Sequence, residues 1–494
     1  MTESTESDRI EPWVWRVAAV VVVGSIMSIL DTTIVNVALQ TLHRELHSPL
    51  SNIQWVITGY LLSLAVVIPI SGWASRRFGA KNIYLMSIVL FTLGSALCGL
   101  ATSATSLILF RVLQGLGGGM IMPVGQMILA GAAGPRRMGR VMAVTGVPTL
   151  LAPIVGPTVG GLLIDSASWR WIFYVNVPIG ILATVLAIRM IPRAERSAER
   201  QPLDVVGLAM LAIGLPGLTY GLAEVGTTGS FTSPKVLVSV IGGLLLIAAF
   251  IWHALRVRFP LLDLNLYRRS TYAAASAAMF FLGGALFGVM ILLPLYFQNV
   301  RGEDALHTGL LLAPQGVGMA LVMPVVGRLA DRMGGGPLTI FGVILAAIMG
   351  IPFGLIGAHT SLVAIGFEQF VRGIGIAFAF MPAYVAAFAA LERSELSDAS
   401  PQLNVLMRIG GSIGTAVLAV VLQRSLISAG THPSIGAVAS SYGTAFWWGV
   451  GIIVAAVVPC IILWRAERNA RRAAAEKAER EARLGPPALA EAAA

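Results

Sequence analysis

Apolar residues run along this chain in blocks of roughly twenty, the length an α-helix needs to cross the hydrocarbon core of a bilayer. Fourteen blocks are read this way, near 15–39, 52–72, 83–101, 105–130, 139–164, 171–190, 204–223, 236–255, 272–297, 306–327, 338–358, 361–390, 402–428 and 442–464. Pro216 interrupts the glycine-rich seventh, and Arg408 lies inside the thirteenth. One turn is written twice. It reads Gly72-Trp73-Ala74-Ser75-Arg76-Arg77-Phe78-Gly79 after the second block and Gly327-Arg328-Leu329-Ala330-Asp331-Arg332-Met333-Gly334 after the tenth. A repeated turn in matching positions marks an internal duplication. The pattern predicts an all-α membrane bundle of two six-helix halves with an inserted helix pair between them. The expected divisions are a tail at 1–14, a first half at 15–190, a linker with the inserted pair at 191–270, a second half at 271–464 and a basic tail at 465–494.

Composition excludes a soluble fold. Hydrophobic residues make up 56% of the 494 residues and charged residues 12%, far too little polar surface to cover a soluble chain of this length. Charge then sets an orientation. Alternate turns carry Arg76, Arg77 and Lys81; Arg136, Arg137 and Arg140; Arg193, Arg196 and Arg200; Arg256, Arg258, Arg268 and Arg269; and Arg328 with Arg332. The intervening turns hold single cations such as Arg44, Arg170, Lys235 and Arg301. By the positive-inside rule the first set, and both termini, are expected in the cytoplasm. The acidic turn with Glu392, Glu395 and Asp398 does not reverse this, because acidic residues carry little topological weight. The formal net charge of +10 fits an anionic inner leaflet and calls for no nucleic acid. The tail from Arg465 to Arg483, rich in Ala, Arg and Glu, is expected to form a solvated or lipid-touching helix. Cys98 and Cys460 fall inside apolar blocks and give neither a disulfide framework nor a metal site. His43 and His47 lie four apart, but Glu45 is out of place for a zinc-protease motif, so no metal is expected.

A charged side chain inside a span costs several kcal/mol, so each one needs a reason. Asp31 stands in the first span about eight residues, or roughly 12 Å, from its outer end. A carboxylate that can be neutral or charged there is either a proton carrier or a structural group bonded to a neighbouring helix. Arg111 enters the fourth span from the opposite direction and reaches a similar depth, so the two can pair, as a coupled or as a static ion pair. Glu368 in the twelfth span lies at a matching depth, with Arg372 one turn later. An intrahelical pair is the first explanation, and a second titrating site is the alternative. The fifth span carries Gly146 and then Gly156-Pro157-Thr158-Val159-Gly160-Gly161. There a proline kinks the helix and glycines admit a close neighbour. In the repeated turns, Gly72, Arg76, Arg77 and Gly79, with Gly327, Asp331, Arg332 and Gly334, are candidate gating residues. No nucleotide-binding loop is present, so enzyme function is disfavoured and energy is expected from an ion gradient.

With Leu30-Asp31-Thr32-Thr33-Ile34-Val35-Asn36, Arg111 with Gln114-Gly115, the Gly156 to Gly161 motif, both turns and Pro294-Leu295-Tyr296-Phe297-Gln298 in view, the chain resembles the major facilitator superfamily. It looks most like the fourteen-span drug:proton antiporters of EmrB/QacA type. The resemblance covers about residues 15 to 464. It implies a bacterial inner-membrane exporter that moves amphipathic or cationic compounds outward against protons, with Asp31 and Arg111 in proton coupling and the Gly156 to Gly161 segment as the antiporter motif. It implies no cofactor. A periplasmic adaptor serves some relatives, and nothing in this sequence demands one. In one departure, Arg76 occupies the place where the family's first turn usually has its aspartate, so the acidic member survives only as Asp331.

Asn36, Gln54, Trp55, Tyr60, Gln114, Gln126, Gln298, Gln315 and Asn404 are the polar or aromatic side chains on spans expected to face a central cavity, and each can equally be helix-packing glue. Two further classes stay open: an exporter of an endogenous lipid or metabolite on the same fold, and a non-transporting membrane protein whose charges are structural.

Overall fold

The computed structural model describes residues 10–134, 137–142, 156, 159–164, 166–192, 201–228, 232–392, 395–430 and 432–484. These residues form helices joined by short turns and links, with no strand among them. The first half comprises α1 (Pro12–Glu45), α2 (Leu50–Val67), α3 (Ile70–Phe78), α4 (Ala80–Gly99), α5 (Ala104–Ala133), α6 (Trp171–Tyr174) and α7 (Asn176–Met190). The inserted pair is α8 (Val205–Thr228) and α9 (Pro234–Ala254). The second half comprises α10 (Ser270–Asn299), α11 (Ala305–Met333), α12 (Gly335–Ile348), α13 (Ile351–Gly354), α14 (Leu362–Ala389), α15 (Leu396–Ser428), α16 (Ile435–Ala455) and α17 (Val457–Leu484).

Twelve spans among the described residues, or thirteen with the bent pair α2 and α3, are long and apolar enough to cross a membrane, and three of them join consecutive helices (α6 with α7, α12 with α13, α16 with the start of α17). Each coincides with one of the fourteen predicted blocks. The remaining block, 139–164, falls largely outside the described residues, as do Gly146 and Pro157. The bend of 55° between α2 and α3 falls at Pro69, which has no N–H to continue the helical ladder. Elsewhere the interruptions are absorbed: α8 runs unbroken through Pro216 and α15 through Arg408. Helix starts are capped from the sequence. Ser103 and Ser106 form a capping box at α5, and the Asp304 carboxylate accepts the His307 N–H at 2.7 Å at α11.

Burial separates the bundle from its periphery. In the most apolar stretches of α1 and α10, 61% of residues are buried, against 17% for α9, which turns Val238, Leu245 and Trp252 outward. The inserted pair is therefore peripheral, and α8 packs across the line where α2 meets α15. Ion pairs join Arg76 to Asp398, Arg140 to Asp331 and Arg269 to Glu395, and the C-terminal helix lies against the start of α12 beside the second repeated turn; this face is called here the basic face. The tail is less free than its composition implied. Glu467 accepts the N–H groups of Gly335 (3.0 Å) and Gly336 (2.6 Å) at the start of α12, where a carboxylate satisfies unpaired donors and the positive helix end.

The repeated turn has a backbone cause. Gly79 and Gly334 both adopt φ near +90°, at 90° and 89°, a conformation that side-chain-bearing residues rarely take. The leading glycine of the first turn serves a different need: a Cβ on Gly72 would run into the Ser397 carbonyl of α15, in the opposite half. At Gly161 a Cβ would meet nothing. Gly72→Ala is therefore expected to destabilise the protein by about 1–3 kcal/mol through forced separation of α3 from α15. Gly161→Ala should stay within about 0.5 kcal/mol. Thermal unfolding of the purified variants in detergent checks both.

Candidate functional site

Helices of the first half converge on Asp31. Gly115 lets α5 lie close against the Tyr60–Ser63 turn of α2, which brings Arg111 within reach of Val56 and Tyr60 of that helix. Arg111 Nη1 donates to Asp31 Oδ2 at 2.6 Å and to Gln114 Oε1 at 2.8 Å, and Arg111 Nε donates to the Val56 carbonyl at 3.1 Å. Its guanidinium carbon stands 4.0 Å from the Tyr60 ring centroid, a cation–π contact. Asp31 Oδ1 accepts from Gln114 Nε2 and from Asn176 Nδ2, each at 2.9 Å. Asn176 in turn donates to Ser95 Oγ at 3.1 Å, and Ser95 donates to the Phe173 carbonyl at 2.9 Å. Side-chain exposure is 0% for Asp31 and 1% for Arg111. Two opposite charges in a dry interior are tolerated because each is met by the other and by hydrogen bonds on its remaining sites.

The matching depths expected of Asp31 and Arg111 thus become a direct contact. Gly156 and Gly160 of the antiporter motif pack on Thr33 and Ile34 of α1, less than one turn beyond Asp31, while Gly161 is open. Asn176 and Ser95 were not singled out from the sequence. Asn176 is a lone amide in an apolar block, and the cost argument applied to Asp31 would have found it.

Glu368 and Arg372 do not form the intrahelical pair expected of them. Arg372 turns to α11, where its Nη1 donates to Gln315 Oε1 at 3.0 Å, with its guanidinium 5.9 Å from the Phe353 ring centroid. Glu368 stays half-buried on α14 and has no ion pair among the described residues. Positions four apart on a helix are offset around its axis, and here the neighbouring α11 takes the arginine away.

The nine candidate cavity residues go to separate places. Tyr60 and Gln114 are buried within the Asp31 network. Gln126 Oε1 accepts from Asn404 Nδ2 (2.8 Å) and Ser400 Oγ (3.1 Å) across the seam between halves. Gln315 holds Arg372. Gln54 and Gln298 are exposed, and so is Trp55, which stacks on Tyr220 of α8 with centroids 6.0 Å apart. Asn36 lies on α1, its side chain outside the description.

At the basic face two ion pairs cross the seam in opposite senses. Arg76 of the first turn reaches Asp398 of α15 at 2.6 Å and Ser397 Oγ at 3.0 Å. Asp331 of the second turn receives Arg140 Nε at 3.1 Å and the Gly139 N–H at 2.8 Å. The Arg76 departure therefore exchanges the charge rather than losing the contact: the acid stands on α15 instead of on the turn. Arg77 is half-buried and Arg332 is exposed, and a Cβ on Gly139 would strike the Gly327 carbonyl.

Two helical halves built on one repeated turn, with a buried ion pair in the first and crossed pairs at one face, define a multi-pass membrane protein of the transporter class. The chain belongs to the Major Facilitator Superfamily, whose family model matches residues 21–415. It is 40% identical over 418 residues, 84% of this chain and 77% of the relative, to the "Multidrug resistance protein B homolog" of Mycobacterium tuberculosis. It is 31% identical over 404 residues, 80% of this chain and 77% of the relative, to the "Multidrug export protein EmrB" of Escherichia coli K12. Among solved structures, the proton:xylose symporter XylE superposes with a TM-score of 0.63 at 14% identity, covering 92% of this chain and 96% of that one, a likeness of fold.

Removing one member of a buried pair strands the other charge, a loss of about 3–5 kcal/mol. Arg111→Gln is therefore expected to lower thermal stability sharply. The double variant Asp31→Asn with Arg111→Gln should recover a large part of that loss, and a double-mutant cycle in detergent measures the coupling.

Proposed function

We propose that this chain is a proton-coupled exporter of amphipathic compounds, of the fourteen-span EmrB/QacA drug:proton antiporter type. In this reading it sits in a bacterial plasma membrane with the basic face and both termini in the cytoplasm. The observation that carries the reading is the fully buried Asp31–Arg111 pair, which Gln114 and Asn176 tie together across three helices of the first half, α1, α5 and α7. The multidrug names of the relatives support the cargo class.

The mechanism follows from what the pair and the seam can do. In this reading the Arg76–Asp398 and Arg140–Asp331 pairs hold the cytoplasmic side shut, and protons reach Asp31 from the outer side. A proton taken by Asp31 cancels its charge and strips Arg111 of its counter-ion, so the first half no longer favours the arrangement that paired them. The halves rock, the crossed pairs part, and cargo enters from the cytoplasm as the proton leaves. A proton and cargo that favour opposite-facing states exclude one another, and that differential affinity converts the gradient into outward movement. Two crossed ion pairs, each partly buried, give the shut state a defined energy that loading must overcome.

In proteoliposomes carrying an imposed pH gradient, wild type is expected to move ethidium or a dansylated fatty acid. Asp31→Asn should bind the same probe without gradient-driven movement. Unchanged movement in Asp31→Asn removes Asp31 from the coupling. For the seam, Arg76→Asp should slow transport about tenfold by placing two acids together, equivalent to about 1.4 kcal/mol. Adding Asp398→Arg should restore most of the rate, because the pair re-forms with its charges exchanged.

A further inference from the structure

The inserted pair has no counterpart in the twofold repeat, and its first helix, α8, lies against both α2 and α15. Between these three helices is a cleft of about 100 Å³, walled by Leu61 and Ala65 of α2, Leu215 and Leu218 of α8 and Ile409 of α15. One charged side chain lines it, Arg408 of α15.

Arg408 differs from the other arginines at membrane depth. Arg111 has Asp31, and Arg372 has the Gln315 carbonyl oxygen and the Phe353 ring. Arg408 makes no hydrogen bond or ion pair among the described residues, and its Nε is buried without a partner. The ionisable groups that act on it are Tyr60 and Tyr384, both neutral at physiological pH. A guanidinium in a span costs several kcal/mol unless an anion or a set of acceptors meets it. The described residues supply neither here, which leaves the counter-charge to a bound molecule. The walls state the rest of its chemistry: a mostly apolar lining, with the hydroxyls of Thr219 and Ser412 beside one cation, fits a molecule with an acidic head and a hydrocarbon body.

The position fits a ligand that the transport cycle would sense. Asn404, one helical turn before Arg408, is bonded across the seam to Gln126. A headgroup at Arg408 therefore lies about 6 Å along α15 from that inter-half contact.

We propose that the cleft between α2, α8 and α15 binds an amphipathic anion, a carboxylate or phosphate head on a hydrocarbon tail, with Arg408 as its headgroup partner. This deepens the exporter reading and rests on it for the anion's role as cargo; the binding site stands apart from that role.

The test is an equilibrium titration, without any gradient, of the full-length protein in phosphatidylcholine nanodiscs. The probes are 11-(dansylamino)undecanoic acid and its uncharged methyl ester. Wild type should bind the acid about tenfold more tightly than the ester. Arg408→Gln should bind both with the affinity of the ester, and Leu218→Trp, which fills the cleft and leaves the charge alone, should weaken both. Equal affinities for acid and ester in wild type, or an acid affinity untouched by both substitutions, would overturn the proposal. If Arg408→Gln does not fold, the acid-to-ester ratio in wild type and the Leu218→Trp result still decide it. Repeating the titration with phosphatidylglycerol in the nanodiscs separates the sources. Loss of probe binding identifies a bilayer lipid head at Arg408, and unchanged binding identifies a free acid; both support the site. Retained binding with no gradient-driven movement would overturn the exporter reading alone.

Discussion

Charge inside hydrocarbon has to be answered within reach of the side chain that carries it, and this constraint organises the molecule. The first half is built around one such answer. Asp31 and Arg111 come from helices that run in opposite directions, and Gln114, Asn176 and the Val56 carbonyl add further hydrogen bonds to the pair. The network is neutral overall, so it can be buried. In the proposed function the same side chains that let the bundle form are those that take up the proton.

The seam between halves follows a related logic with less burial. Gly72 allows the Ser397 carbonyl to approach, and Arg76 and Asp331 then meet Asp398 and Arg140 from opposite sides. Partly hydrated pairs of this kind are individually modest. Together with the Gln126, Ser400 and Asn404 hydrogen bonds, they gather inter-half contacts at one end of the bundle. A joint made of several small polar contacts can open and close in a cycle, which a continuous apolar interface would resist. Arg408 sits where this seam meets the inserted helix, and among the described residues no acid or acceptor meets it.

Much of the fold was legible because the membrane imposes a length: blocks of twenty apolar residues became helices even across Pro216 and Arg408. The Asp31–Arg111 contact was legible for a similar reason, since depth can be counted along two antiparallel helices. What the sequence did not yield depends on rotation about helix axes and on the partner half. Counting cannot tell that Arg372 faces Gln315 rather than Glu368, or that Tyr60 and Gln114 belong to the ion-pair network rather than to an open cavity. The Arg76 departure read as a missing acid because its partner, Asp398, lies 322 residues away on another helix. Asn176 was overlooked because an amide inside a span attracts less notice than a charge, although it is equally costly to leave unsatisfied.

The account turns on Asp31 exchanging its bond to Arg111 for a proton. Infrared difference spectroscopy of the protein in lipid, recorded as the bulk pH is lowered, reads that exchange as the C=O stretch of a protonated carboxyl. The account predicts a band that Asp31→Asn abolishes and Glu368→Gln leaves in place. An identical band in Asp31→Asn would contradict it.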